Sequence, residues 1–184
     1  MKRLGALLGI VAIAILSGCA AKAPNYNPNP ESAQRLQAAR VQPAAVGEFK
    51  ADANVSDTSI GLRASTMVPE QGTYSQYLAD AIKNELDLVK LYSPSSTTVI
   101  SGVLLKNEMN TGVAMTGEGA IEARFVVTRD GVVRFDRLKR AAIQWDTNYF
   151  GAIAIPRARN EYSRLVQTLV AELFSDPDFV AALK

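Results

Sequence analysis

Residues 120–135, AIEARFVVTRDGVVRF, carry the strongest fold signal in this chain. Ile121, Ala123, Phe125 and Val127 alternate with Glu122 and Arg124. That period of two predicts a strand with one covered face. Asp130-Gly131 follows, and both residues tolerate positive φ, so the pair predicts a tight hairpin turn. The return strand runs from Val132 to about Trp145, with Val133 and Phe135 directed inward. Its alternation is lost over Arg137 to Arg140, where a bulge is expected.

Working outward, Thr97–Lys106 alternates Val99, Val103 and Leu105 against Ile100 and Leu104, which predicts a further strand. Met109–Thr116 then reads as a hairpin loop. Upstream, Thr73-Tyr74-Ser75-Gln76 predicts a capping box, with Thr73 as N-cap and Gln76 reaching back to its amide. The helix behind it carries Tyr74, Tyr77, Leu78, Ala81, Ile82, Leu86 and Val89 on one face, and Ser93-Pro94 stops it. Val46–Ala51 and Ser59–Ala64 predict short strands before that helix. A last long helix is expected from Pro156, a residue suited to a first turn, and Asp176-Pro177 ends it. The order ββ-α-βββ-α predicts an α+β fold: an antiparallel sheet of about four to five strands with two long helices packed on it.

The N-terminus is of a different kind. Lys2 and Arg3 precede an apolar run from Leu4 to Leu16, which is the layout of a secretory signal peptide. As a helix that run spans about 20 Å, short of the ~30 Å hydrocarbon core. Leu16-Ser17-Gly18-Cys19 closes it and resembles a bacterial lipobox. The resemblance implies cleavage before Cys19 and a diacylglyceryl thioether on its sulfur, usually with an N-acyl chain. Ala20, where an Asp would retain the protein, implies sorting to the outer membrane. Residues 1–18 are thus expected to be signal peptide, 19–43 an acylated N-terminus and flexible tether, and 44–184 a single globular domain. The tether reading rests on Pro24, Asn25, Asn27, Pro28, Asn29 and Pro30, which disfavour helix and ladder alike.

Charge and cysteine usage exclude several functions. The chain has 20 basic and 18 acidic residues, and loss of Lys2 and Arg3 balances them. A neutral domain has no long-range field for nucleic acid. With the single cysteine acylated no disulfide forms, so burial alone holds the fold. There is no histidine, which removes the usual base near neutral pH and the commonest transition-metal ligand. No cofactor or metal is expected, and Gly112, Gly117 and Gly119 fit no phosphate-binding loop. Asp176 and Asp178 read as helix-capping acids. No catalytic residues are expected, and the chain reads as a non-enzyme.

Three candidate interaction surfaces remain. Met109, Val113 and Met115 lie in the expected hairpin loop, where flexible thioethers suit an apolar partner or lipid; the alternative is a loop folded onto its own sheet. Trp145, Tyr149 and Phe150, with Ile153 and Ile155, either anchor a partner or close one end of the core. Arg134, Arg137, Arg140, Arg157 and Arg159 make a candidate anion surface, or a solvated edge that discourages sheet pairing.

The helix Tyr74–Leu91, the strand Thr97–Leu105 and the ending Leu165–Leu183 with Asp176-Pro177-Asp178-Phe179 together resemble the small Gram-negative outer-membrane lipoproteins of the YajG and LptE type. The auxiliary lipoproteins of envelope lipid transporters are similar too. The resemblance implies a periplasm-facing accessory subunit held to the membrane through Cys19, with an envelope protein partner or self-association. Handling of lipid or lipopolysaccharide, and glycan binding or activation of a cell-wall synthase, are the alternatives.

Overall fold

The Asp130-Gly131 hairpin organises the structure. In a computed structural model, which describes residues 20–112 and 115–184, both turn residues have positive φ, at 50° and 77°. They join β6 (Thr116–Arg129) to β7 (Val132–Asp146). β6 also pairs antiparallel with β5 (Thr98–Asn110). β2 (Ala45–Ala51) completes a four-stranded sheet in the order β2-β5-β6-β7.

The α+β class is as expected, with one difference within the sheet. β2 runs parallel to β5, with Val46 beside Ile100 and Ala51 beside Leu104. A parallel pair needs a long crossover, and here it consists of a small hairpin and a helix. The hairpin is β3 (Ile60–Leu62) and β4 (Ser65–Val68), and the helix is α2 (Tyr74–Leu88). The small hairpin belongs to a second, three-stranded sheet, whose third member is β1 (Ala21–Lys22).

The helices cover one face of the large sheet. α2 and α3 (Gly151–Phe174) bring Leu78, Ile82, Leu86, Leu165, Leu169 and Leu173 against Ile100, Leu104, Ile121, Phe125 and Val127, all buried. Each such side chain contributes roughly 1.5–3 kcal/mol over its exposed state. Tyr162 stands between Tyr74 and Tyr77, its ring centroid 5.2 and 5.3 Å from theirs. The helix α4 (Pro177–Ala182) closes the end farthest from the β5–β6 loop, with Phe179 edge-on to Phe135 at 5.4 Å.

Thr73 caps α2 as expected, accepting from the Gln76 amide. The reciprocal half of the box is different. The Gln76 side chain donates forward to Asp80 at 3.0 Å, and Asp57 fastens the first turn by accepting from the Ser75 amide and hydroxyl, each at 2.7 Å. α3 begins at Gly151, five residues before the expected Pro156, which lies inside the helix. Its missing N–H leaves the Ala152 carbonyl without its usual partner.

Two further corrections concern irregular regions. The bulge in β7 lies at Arg134, where Val127 pairs with Phe135 and Thr128 with Val133, and not over Arg137–Arg140. The polar interruption there has another cause. Arg137 and Lys139 face inward toward Asp176, the N-cap of α4, whose carboxylate is buried. Lys139 reaches it at 2.6 Å.

The expected flexible tether is also corrected, because residues 20–43 pack on the domain. Asn29 caps a short helix, α1 (Pro30–Ala38), with Pro30 in its first turn, and Ala33 and Leu36 are fully buried. Tyr26 and the Asn29 amide both donate to the buried Glu85 of α2. The same prolines and asparagines that suggest a free chain serve here as cap and helix start.

Candidate functional site

The end of the domain that carries the β5–β6 and β7–α3 loops gathers most of the unusual chemistry. β5 and β6 are joined by residues 111–115, and β7 meets α3 through residues 147–150. A third loop arrives from the small sheet. Leu62 pairs with Ser65, so Arg63 and Ala64 form the turn between β3 and β4.

Arg63 holds the three loops together. Its Nη1 donates to the Tyr149 carbonyl at 2.7 Å, and its Nη2 donates to the Asn148 carbonyl at 3.0 Å. The carbonyls of Thr111 and Gly112 accept from the same nitrogen. A planar guanidinium with fixed donors suits such a cluster, where a lysine would supply a single point charge. Arg63 has φ of 53°, the left-handed region that glycine normally occupies and that costs other residues roughly 1–2 kcal/mol. A cleft of about 460 Å³ opens beside it, lined by Gly61, Met109, Asn110, Thr111 and Tyr149.

The residues singled out from the sequence divide sharply here. Met109 is not in a loop but in β5, and it is buried. Trp145 is buried at the inner end of β7. Gly117 and Gly119 lie in β6 and make the room for both. A Cβ on Gly117 would come within 2.4 Å of the Trp145 ring, and one on Gly119 within 2.7 Å of the Met109 sulfur. Trp145 therefore closes the core, and Met109, also buried, shows only an edge to the cleft beside Arg63.

Met115, Tyr149 and Phe150 do stand outside, at 67%, 73% and 66% exposure. Ile153, in the first turn of α3, joins them at 51%. That turn has no side-chain cap. The Phe150 amide donates to Asn148 Oδ1 at 2.9 Å, which fixes the approach of the loop to the helix. Val113 and Cys19 lie outside the described residues.

The five arginines do not form one surface. Arg134 occupies the β7 bulge at the far end of the sheet. Arg137 points to the helical face and pairs with Asp176 and Asp178. Arg140 points to the open face and grips Glu122 at 2.7 Å. Arg157 donates to the Asp146 carbonyl at 2.9 Å. Arg159 is half-buried, with its Nε enclosed and without a hydrogen-bond partner among the described residues. Most of this charge is spent within the fold.

Sequence reasoning misses two contributors to this end of the molecule. Arg63 gives no local signal, since its partners are 48 to 86 residues away. β1 is only two residues long and is visible only through its partner. Ala21 lies beside Met67 and Lys22 beside Val68, parallel to β4. β4 leads away from the Arg63 turn, so the chain upstream of Ala21 leads toward it. Ala20 therefore lies level with Thr66, roughly 7 Å along the strand from the turn.

Among the described residues, no helix is long and apolar enough to cross a membrane, and no group of three or more acidic, cysteine or histidine side chains is placed to hold a metal.

No family model matches the sequence, and no curated protein does. Solved structures do show a likeness. A Xanthomonas campestris protein of family DUF330 superposes with a TM-score of 0.58 at 12% identity, over 83% of this chain and 91% of that one. At that identity the likeness is one of fold. An uncharacterised protein aligns at a TM-score of 0.49 and 5% identity, over 80% of this chain and 94% of its own. A candidate lipoprotein from Caulobacter crescentus CB15 aligns at 0.37 and 13%, over 77% and 93%.

Proposed function

We propose that this chain is a bacterial envelope lipoprotein, anchored in the outer membrane through acyl chains on Cys19. Its domain faces the periplasm and works without catalysis, as an accessory or binding subunit for another envelope component. The observation that carries the reading is the direction of β1, which brings Ala20, the residue after the lipobox cysteine, to the end of the domain where apolar side chains are exposed. The fold shared with the DUF330 protein supports the architecture. The closer kinship, to lipoproteins of the YajG and LptE type, rests on the helix, strand and C-terminal patterns of the sequence and belongs to this proposal.

The alternatives draw less support. Lipid handling calls for an apolar cavity bordered by the Met109 loop or the Trp145 segment; the cleft beside Arg63 lies there, but Arg63, Asn110 and Thr111 share its lining, and Met109 and Trp145 are themselves buried. Glycan binding calls for a shared cationic surface, and the arginines point in several directions.

The test is replacement of the anchor. Wild type is expected to fractionate with outer membranes and to show acylated Cys19 by intact mass, while Cys19→Ala loses both. A Cys19→Ala protein still found in the outer membrane would overturn the anchor. Turnover of an envelope substrate by the purified chain would overturn the non-catalytic role.

A further inference from the structure

We infer that the end of the domain bearing Met115, Tyr149, Phe150 and Ile153 is a second, non-covalent membrane contact. It would seat in the headgroup and upper acyl region of the bilayer that holds the lipid on Cys19. The inference rests on the anchor proposed above and adds to it an orientation.

Exposure is the first observation. Four large apolar side chains, each more than half exposed, converge at one end of the domain, against two smaller ones, Val132 and Val133, exposed to that degree at the opposite end. They include two adjacent aromatics, Tyr149 and Phe150, with ring centroids 6.0 Å apart and nearly perpendicular. Aromatic side chains with an apolar body favour the membrane–water interface.

The path of the chain selects the occupant. Cys19 directly precedes Ala20, and Ala21 is the first residue held by β1 pairing, so two peptide steps, about 7.6 Å of chain, are the most that separate the lipid-bearing residue from a fixed one. The Ala23 amide extends that pairing by donating to the Val68 carbonyl at 2.7 Å. Only Ala20 stands between the lipid-bearing residue and the paired strand. Acyl chains on Cys19 must then enter the bilayer beside the Arg63 turn, and the exposed tip lies at that same end. The polar region of one leaflet is only roughly 5–8 Å thick, which leaves little room for a protein partner between tip and lipid.

Rigidity is the third observation. The Arg63 guanidinium ties the loops that carry Met115 and Tyr149 to the turn beside Ala20. Anchor and aromatics are thus presented by one assembly.

The test places the photo-reactive residue p-benzoylphenylalanine at Phe150 or Tyr149, in the full chain made in bacterial cells. Val132 serves as control. It is 53% exposed and stands at the opposite end of β7. After irradiation, intact mass reads Cys19 acylation and phospholipid adducts on the same molecules. Adduct yield at positions 149 and 150 is expected to exceed that at 132 by about tenfold, as for side chains held within lipid. Acylated chains whose 149 and 150 probes label no more lipid than 132, or label protein instead, would overturn the inference while leaving the anchor intact. Chains lacking acyl groups would overturn the anchor. Irradiating those chains with phosphatidylethanolamine–phosphatidylglycerol vesicles then decides the tip separately, lipid adducts at 150 upholding it and their absence overturning it.

Discussion

Tyr26 donates its hydroxyl to Glu85 Oε1 at 2.6 Å, across 59 residues of chain. The same oxygen accepts from the Asn29 amide at 2.7 Å, so one buried carboxyl fastens the N-terminal segment to α2. This contact turns a proline- and asparagine-rich stretch from tether into part of the domain. It also sets how far the body can stand from any lipid on Cys19.

Tyr26→Phe removes the phenol donor and keeps the ring that packs against Tyr77. A hydrogen bond to a buried carboxyl is worth roughly 1.5–3 kcal/mol, so a loss of that order is expected in urea unfolding. Hydrogen exchange adds the local readout. Amides of Ala23, Ala33 and Ala39 are expected to lose protection before those of α3. Unchanged protection there would mean that the segment is held by other contacts.

Glu85 also makes stability depend on pH. Burial pushes its carboxyl above the usual value, against the Asn29 and Tyr26 hydrogen bonds that pull it down. A raised folded value means that its contribution is complete below about pH 4.5 and is lost as pH rises through the folded value. Glu85→Gln mimics the protonated form at every pH. Its stability relative to wild type is therefore expected to improve from pH 4 to pH 8, read as the difference in urea midpoints. A difference that stays constant across that range would show the carboxyl to be unperturbed.

Asp176 acts with the opposite sign. Burial raises its carboxyl, but the hydrogen bonds from Lys139 and from the amides of Asp178 and Phe179 outweigh it and leave it lowered. Its contribution is present above the ordinary carboxylate value and is lost as pH falls through the lowered one. Asp176→Ala removes an N-cap and strands Lys139, 18% exposed, on the inner face of β7. A loss of about 2–4 kcal/mol is expected by chemical denaturation. Asp176→Asn, which keeps a capping oxygen, should recover part of it.

These contacts show where the sequence was legible and where it stopped being so. Local signals served well. The Asp130-Gly131 turn, the Thr73 cap and the apolar faces of α2 and α3 each depend on neighbours within a few residues. Long-range polar contacts did not. The break in alternation at Arg137–Lys139 reads locally as a bulge, and its true cause, Asp176, lies on another element. The Trp145–Ile155 stretch reads as one aromatic segment. Strand parity buries Trp145, and the end of β7 releases Tyr149 and Phe150 to solvent. The parallel pairing of β2 with β5 has no local marker at all.

Gly117 offers a direct check on that division of the tip into core and surface. Gly117→Ala would place a Cβ within 2.4 Å of Trp145, the only tryptophan in the chain. Overpacking of this kind costs roughly 1–3 kcal/mol. Displaced toward water, the indole is expected to shift its emission to the red. An unmoved emission maximum with unchanged stability would show that Trp145 is not packed on this strand.

Arg63 tests whether the tip acts as a unit. Arg63→Ala removes the donors shared by the Tyr149, Asn148, Thr111 and Gly112 carbonyls, in bonds that are exposed except for the part-buried one to Thr111. The loss in global stability is expected to be modest, about 1 kcal/mol, because water can replace exposed hydrogen bonds. Local order should suffer more. The Gly112, Thr147 and Phe150 amides are expected to exchange faster while those of β6 stay protected. Arg63→Lys can satisfy only part of the cluster, since a point charge lacks the planar fork, and its exchange should fall between the two. If photo-labelling of lipid from position 150 falls with loop order across this series, the guanidinium holds the tip in its membrane-facing shape. If labelling is unchanged while the loops loosen, the exposed side chains alone are sufficient, and the clamp serves the fold.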